Sequence, residues 1–188
     1  MEPSSLCAGH RSVMKTKHFF LAALFGLAAV SPVMAEEAAT QNSKVKVELD
    51  NPVKFTDVRD AYLASDKGQV ANAEILRDYI VKKAGQYVPD GYTLDVTVTN
   101  IDMAGDFEPW GKAGANDIRI VKDIYPPRID LSFKLVDSAG NVVKEGSREL
   151  RDLNFMMKIN IRTTDSMRYE KALIDDWISK DLKPVKAG

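Results

Sequence analysis

Residues able to do chemistry concentrate between Asp102 and Arg128. Asp106, Glu108, Asp117 and Asp123 bring carboxylates, Arg119 and Arg128 bring guanidinium groups, and Phe107, Trp110 and Tyr125 bring aromatic rings. Rings beside guanidinium groups can stack on a planar or sugar ligand and clamp an acidic group. Residues 103–117 are rich in glycine and break every hydrophobic period, so they read as a long loop, a common place for binding residues held by a rigid scaffold. The binding candidates are Asp106, Phe107, Glu108, Trp110, Arg119, Asp123, Tyr125 and Arg128. A second reading stays open: Trp110 and Tyr125 fold inward as a satellite core, as large aromatic side chains tend to, and the charges pair locally.

An enzyme reading must rest on carboxylates. Both histidines, His10 and His18, and the only cysteine, Cys7, lie within the first 35 residues, which have the layout of a leader. With that leader removed, thiol nucleophiles, disulfides, Ser-His-Asp triads and Cys/His zinc sites are excluded. Asp106 with Glu108, or Asp117 with Asp123, could supply the acid and the base or nucleophile of a glycan hydrolase. Closeness in sequence is weak evidence for such a pair, and no catalytic residue is assigned. Ser43-Lys44-Val45-Lys46 fits S-x-x-K formally but precedes a strand and lacks its companion motifs. Asp102, Asp106, Glu108 and Asp117 offer oxygen ligands, yet no D-x-D-x-D-G loop is present, and neither a P-loop nor a dinucleotide fingerprint occurs. No metal or cofactor is expected.

The leader is read from Met14-Lys15-Thr16-Lys17, the apolar run Phe19 to Val30, and Ser31-Pro32-Val33-Met34-Ala35. Basic start, short apolar stretch and small or modest residues at the minus-three and minus-one positions are the layout of a secretory signal peptide. The run falls short of the roughly 20 residues a bilayer span needs, so cleavage after Ala35 and no stable membrane anchor are expected. Residues 1–13 precede an already complete signal, so Met14 is the expected start. Cys7 lies upstream of the apolar run, where it cannot serve for lipid attachment. The full chain holds 26 basic and 27 acidic residues. Losing Arg11, Lys15, Lys17 and Glu2 leaves a net charge of −3, with no run of Lys and Arg and no general pull toward nucleic acid or anionic lipid.

The elements that must position the candidates follow from periodicity. After a polar lead-in at 36–44, Val45, Val47 and Leu49 alternate with Lys46 and Glu48 as in a half-buried strand. Val70, Ala73, Leu76, Ile80, Ala84 and Tyr87 recur at three and four, predicting a helix of about five turns with Ser65 or Asp66 as cap and Pro89-Asp90-Gly91 beyond its end. Strands are predicted at Leu94–Ile101, at Ile129–Leu135 and, across the turn Asp137–Asn141, at Val142–Leu150, with a short edge strand at Ile118 and Ile120. A second helix starts near Asp165-Ser166 and carries Tyr169, Leu173, Ile174, Trp177 and Ile178. Tyr169-Glu170-Lys171 reads as its first turn with surface charge pairs. The sum is a single α+β domain over 45–182, with a short tail at 183–188. It is a two-layer structure of a mainly antiparallel sheet of about four strands, order β-α-β-β-β-α, with two helices on one face. The other face is wet, showing Lys46, Glu48, Asp95, Thr97, Thr99, Asp130, Ser132 and Lys134.

Four stretches carry a resemblance: Pro52-Val53-Lys54-Phe55-Thr56-Asp57, Ala104-Gly105-Asp106-Phe107-Glu108-Pro109-Trp110, Asp123-Ile124-Tyr125-Pro126-Pro127-Arg128-Ile129, and Tyr169-Glu170-Lys171 with Trp177. In this order they resemble the landmarks of domain-of-unknown-function family 3016, small exported bacterial proteins. The resemblance implies one periplasmic domain and carries no catalytic residue with it. The expected function is that of a non-enzymatic binding or interaction module using the 105–128 loop, its partner an envelope protein or a small or glycan ligand. A carboxylate-dependent glycan hydrolase of the cell envelope is the alternative. Amino-terminal sequencing of the exported protein is expected to begin at Glu36; a chain still starting at Met14 would mean that the apolar run is retained.

Overall fold

The computed structural model describes residues 44–61, 65–108, 118–157 and 164–183. The expected leader and most of the lead-in, Trp110, Asp117 and residues 184–188 lie outside the described residues, which all belong to one unit, Ala38–Gly188. The elements are β1 (Val45–Leu49), α1 (Asp66–Ala84), β2 (Thr93–Asp102), β3 (Asp106–Phe107), β4 (Arg119–Ile120), β5 (Arg128–Val136), β6 (Val142–Arg151) and α2 (Arg168–Asp181). Four strands form one sheet in the order β1-β2-β5-β6, and β3 pairs with β4 in a separate ribbon. Helix α1 is the crossover that lets β1 run parallel to β2, while the other two pairings are antiparallel. The result is the expected α+β arrangement, with order β-α-β-β-β-α for the sheet and its helices. The short strand expected at Ile118 and Ile120 corresponds to β4, but it extends the loop's own ribbon rather than the edge of the sheet.

Alternation settles which face is covered. Val45, Val47, Leu94, Val96, Val98, Ile129, Leu131, Phe133 and Leu135 are all buried, and their neighbours in sequence point away. Against them α1 lays Ala73, Leu76, Ile80 and Ala84, and α2 lays Leu173, Ile174, Trp177 and Ile178. Trp177 meets Phe133 edge-on, with ring centres 5.6 Å apart, a favoured aromatic geometry. Ser65 caps α1, its Oγ accepting from the Gly68 N–H at 3.2 Å. The helix closes at Ala84, and Tyr87 belongs to the turn after it, where the Tyr87 and Val88 N–H groups both donate to the Ala84 carbonyl. Tyr79 of α1 and Asp175 of α2 are joined by a 2.9 Å hydrogen bond, with Lys83 on the same carboxylate.

Two irregularities matter for function. Strand β6 turns Lys144, Gly146 and Arg148 toward Leu135, Phe133 and Leu131 of its neighbour. Arg148 lies over the Phe133 ring and bonds Asp181 at the end of α2 through two contacts of 2.9 Å. Gly146 leaves room for it, since a Cβ there would sit 2.8 Å from the guanidinium. Such charges also discourage further pairing at an exposed edge. In β2, the register shifts between Val98 and Asn100. Without that bulge Ile101 would stand opposite Arg128 on the wet face. With it, Ile101 faces Ile129 inside and Asp102 takes the outward place opposite Arg128.

Because Trp177 fills the centre of the core, Trp177→Ala is expected to cost about 3–5 kcal/mol in urea unfolding. Trp177→Phe should cost clearly less: the indole N–H has no hydrogen-bond partner among the described residues, so that change removes an unsatisfied buried donor along with the lost contact area. Equal losses for both variants would contradict this packing.

Candidate functional site

The segment before α1 runs beside the end of β2. A 3-10 turn at Pro52–Lys54 is followed by Phe55 and Val58, both buried in the core, so the chain is drawn in at Asp57. The Asp57 N–H donates to the Ile101 carbonyl (3.1 Å), and the Asp57 carbonyl accepts from the Met103 N–H (2.9 Å), a parallel bridge that sets Asp57 next to Asp102. Asp57 is only 6% exposed, and a carboxylate taken from water needs partners. Arg119 provides a two-pronged grip, Nη2 to Oδ1 at 2.9 Å and Nη1 to Oδ2 at 3.0 Å. Arg59 adds Nε to Oδ1 at 3.0 Å and Nη2 to Oδ2 at 3.3 Å. Burial pushes the Asp57 carboxyl up, but the hydrogen bonds from Arg119 and Arg59 outweigh it and hold the group below the usual carboxylate range.

Arg119 also donates to the Gly105 and Arg59 carbonyls, each at 2.8 Å, and both guanidinium groups lie over the buried Phe107 ring, at 4.6 and 5.5 Å from its centre. The β3–β4 ribbon is thereby fastened to the segment before α1. Gly105 is required there: its φ is +82°, and a Cβ would come within 2.6 Å of the Ile120 carbonyl oxygen.

Above this clasp opens a cleft of about 390 Å³, walled by Asp57, Arg59, Asp102, Asp106, Ile124, Tyr125, Pro126, Arg128 and Arg151 among others. Its floor includes a row across three strands, since Asp102 faces Arg128 and Arg128 faces Arg151 in the sheet register. Arg128 is turned to Asp130, with contacts of 3.0 and 2.9 Å. The Arg151 guanidinium has no hydrogen bond or ion pair among the described residues, and the Asp102 carboxyl has none either. Burial pushes Asp102 up, and the nearby charges of Asp57 and Asp106 add to this against the opposing pull of Arg119 and Arg128.

Three of the candidates drawn from sequence, Asp106, Tyr125 and Arg128, line this cleft. Asp106 accepts from the Phe107 N–H at 2.7 Å and lies 3.7 Å from Arg59. Glu108 is held by Lys122 at 2.5 Å and by the Tyr125 hydroxyl at 3.3 Å; the Lys122 contact holds its carboxyl low. Phe107 is packed under the two arginines and is closed to a ligand. Arg119 is committed to Asp57, and Asp123 is exposed and does not line the cleft. Asp57, Arg59, Asp102 and Arg151 were not among the candidates. An acid between the apolar Phe55 and Val58 was the available signal for Asp57; for Arg151 there was none, as it becomes part of the site only through strand register.

Glu170 departs most from expectation. Read as a surface charge, it is fully buried. It shares the spacing of Leu173, Ile174, Trp177 and Ile178 and so belongs to the inward stripe of α2. Its Oε1 accepts from the Ala104 N–H at 2.7 Å, and its Oε2 has no hydrogen-bond partner among the described residues. Beside it a small second core forms from Ala104, Phe155 and Tyr169, the two rings edge to face at 4.9 Å. Burial pushes the Glu170 carboxyl up, against the Ala104 hydrogen bond and the charges of Arg119 and Arg168.

Among the described residues no three or more Asp, Glu, His or Cys side chains gather as a metal site, and no helix is long and apolar enough to cross a membrane. The fold and the cleft define a class: a two-layer α+β domain with a polar cleft where the wet face of the sheet meets a clamped ribbon. Residues 43–180 match the family described as Protein of unknown function (DUF3016), and the chain belongs to that family, as the sequence landmarks implied. No curated protein matches it. Among solved structures it is similar to a PelC dodecamer from Paraburkholderia phytofirmans, with 14% identity over 77% of this chain and 91% of that one. It is also similar to a point variant of the same protein, with 18% identity over 76% and 88%. The TM-score is 0.31 in both cases, too low to establish a shared arrangement.

A carboxyl whose folded-state pKa is raised stabilises below its unfolded pKa, about 4.3 for Glu, and that stability is lost as pH rises through the folded value. Glu170→Gln, which keeps an acceptor for Ala104, is therefore expected to gain urea stability relative to the native chain as pH rises from about 4 toward neutrality. Parallel pH profiles for the two proteins would sink the assignment.

Proposed function

We propose that this protein is an exported, periplasmic binding module that uses the cleft between the β3–β4 ribbon and the wet face of the sheet to hold a polar ligand bearing an acidic group. The leader motif supports export. The reading is carried by one observation: among the described residues, every charged side chain lining the cleft has a hydrogen bond or ion pair except Arg151 and Asp102. Arg59 and Arg119 are engaged with Asp57, and Arg128 with Asp130. Arg151 is left as a guanidinium able to grip a carboxylate or phosphate oxygen. Asp102 is left to accept from a ligand hydroxyl or amine, or to donate when protonated. Tyr125, half-buried on the wall, supplies a ring edge. An envelope protein and an acidic glycan both present such groups.

The hydrolase alternative draws on the contrast between Asp102, pushed up, and Asp57, held low; environments that drive two carboxyls apart mark many acid and base pairs. Asp57, however, has both oxygens taken by arginines and is poorly placed to accept a proton. Asp106 would have to serve instead.

Crosslinking in cells from a photoreactive residue at Ile124, which is 66% exposed on the rim, tests the proposal. A dominant envelope adduct that disappears on Arg151→Glu is the expected result. Absence of adducts from the folded, exported protein, together with glycan release abolished by Asp102→Asn, would replace the binding module with the hydrolase.

A further inference from the structure

We infer that the opposite end of the sheet carries a second binding site, a small apolar slot with a cationic rim that takes a short amphiphilic carboxylate. The slot, about 240 Å³, is bounded by Tyr87 and Tyr92 of the turn after α1, Val143 of β6, and Lys180, Leu182 and Lys183 around the end of α2. It reaches Leu135, whereas the cleft begins at Arg128; seven residues of strand separate these by about 23 Å. The two sites are independent surfaces.

The occupant is argued from size and charge. Tyr87 and Tyr92 pack partly on the core, and neither hydroxyl has a hydrogen bond among the described residues. Lys180 and Lys183 have no ion pair among the described residues. Asp181, the carboxylate bordering the slot, is already neutralised: Lys144 and Arg148 each reach it at 2.9 Å, and the Arg148 hydrogen bond is the main reason its carboxyl is held low. Lys144 also donates to the Asp181 carbonyl at 2.8 Å, covering the negative end of the helix. An apolar slot within a chain of net negative charge thus presents two uncommitted ammonium groups and two hydroxyl donors. This complements one apolar tail ending in an anion. At about 240 Å³ the slot is smaller than the roughly 300–1,000 Å³ of pockets for drug-sized ligands, so a single short chain fits and a whole lipid does not.

The test is titration of the full chain with octanoate, read from the ring resonances of Tyr87 and Tyr92, with 1-octanol as the uncharged control. Saturable shifts are expected, with octanol binding about tenfold more weakly, the effect of losing one charge-assisted hydrogen bond. Lys180→Gln combined with Lys183→Gln should weaken octanoate by about the same factor without moving the urea midpoint. Octanol binding as tightly as octanoate, or no saturation at all, would overturn the inference. So would octanoate binding that appears only once the chain is cut back to Lys183, which would make the slot the seat of its own terminal segment.

Discussion

The cleft depends on the ion pair between Asp57 and Arg119. Asp57 would keep Arg59 as a partner if Arg119 were removed, so what the Arg119 guanidinium adds is connection as well as charge. Here the same guanidinium also satisfies the carbonyls of Arg59 and Gly105 and covers Phe107. One side chain thereby ties the segment before α1, the turn into β3, and β4 into one unit. The ribbon is only two residues wide on each strand, too short to hold itself in water. Its position comes from this clasp and from the close approach that Gly105 allows.

The clasp would have nothing to face without the bulge at Thr99. A regular β2 would put Ile101 on the wet side and Asn100 in the core. The extra residue restores an apolar interior and moves Asp102 into line with Arg128 and Arg151. Sheet register then does what sequence neighbourhood cannot: it collects an acid and two bases from three strands into one row. Local pairing turns Arg128 to Asp130 and leaves Asp102 and Arg151 as the groups open to a ligand.

Glu170 joins the cleft to the helical layer. Its hydrogen bond to Ala104 fixes the residue just before Gly105, so the protonation state of a buried carboxyl on α2 bears on the loop that forms the cleft. At the other end of the sheet, Asp181 plays a structural part, drawing Lys144 and Arg148 of the edge strand onto the end of the same helix. The two ends of α2 are thus tied by polar contacts, Glu170 to Ala104 and Asp181 to Lys144 and Arg148, while Trp177 between them anchors through contact area.

Periodicity made the fold legible. Val45 and Val47, Leu94 to Val98, and Ile129 to Leu135 alternate because a pleated strand sends neighbours to opposite faces, and the stripes on α1 and α2 follow the helical repeat. Both are local rules, and they were enough for the element order and the covered face. The site was legible only in part. Asp106, Tyr125 and Arg128 stood out because they share a loop, but Asp57 finds Arg119 across 62 residues and Glu170 finds Ala104 across 66. The sequence by itself determined the elements and their apolar faces, since these depend on neighbours a few residues away. Tertiary structure alone decided which charges are buried, which are paired and which remain open, because the partner of a charge is chosen by packing and register between distant segments.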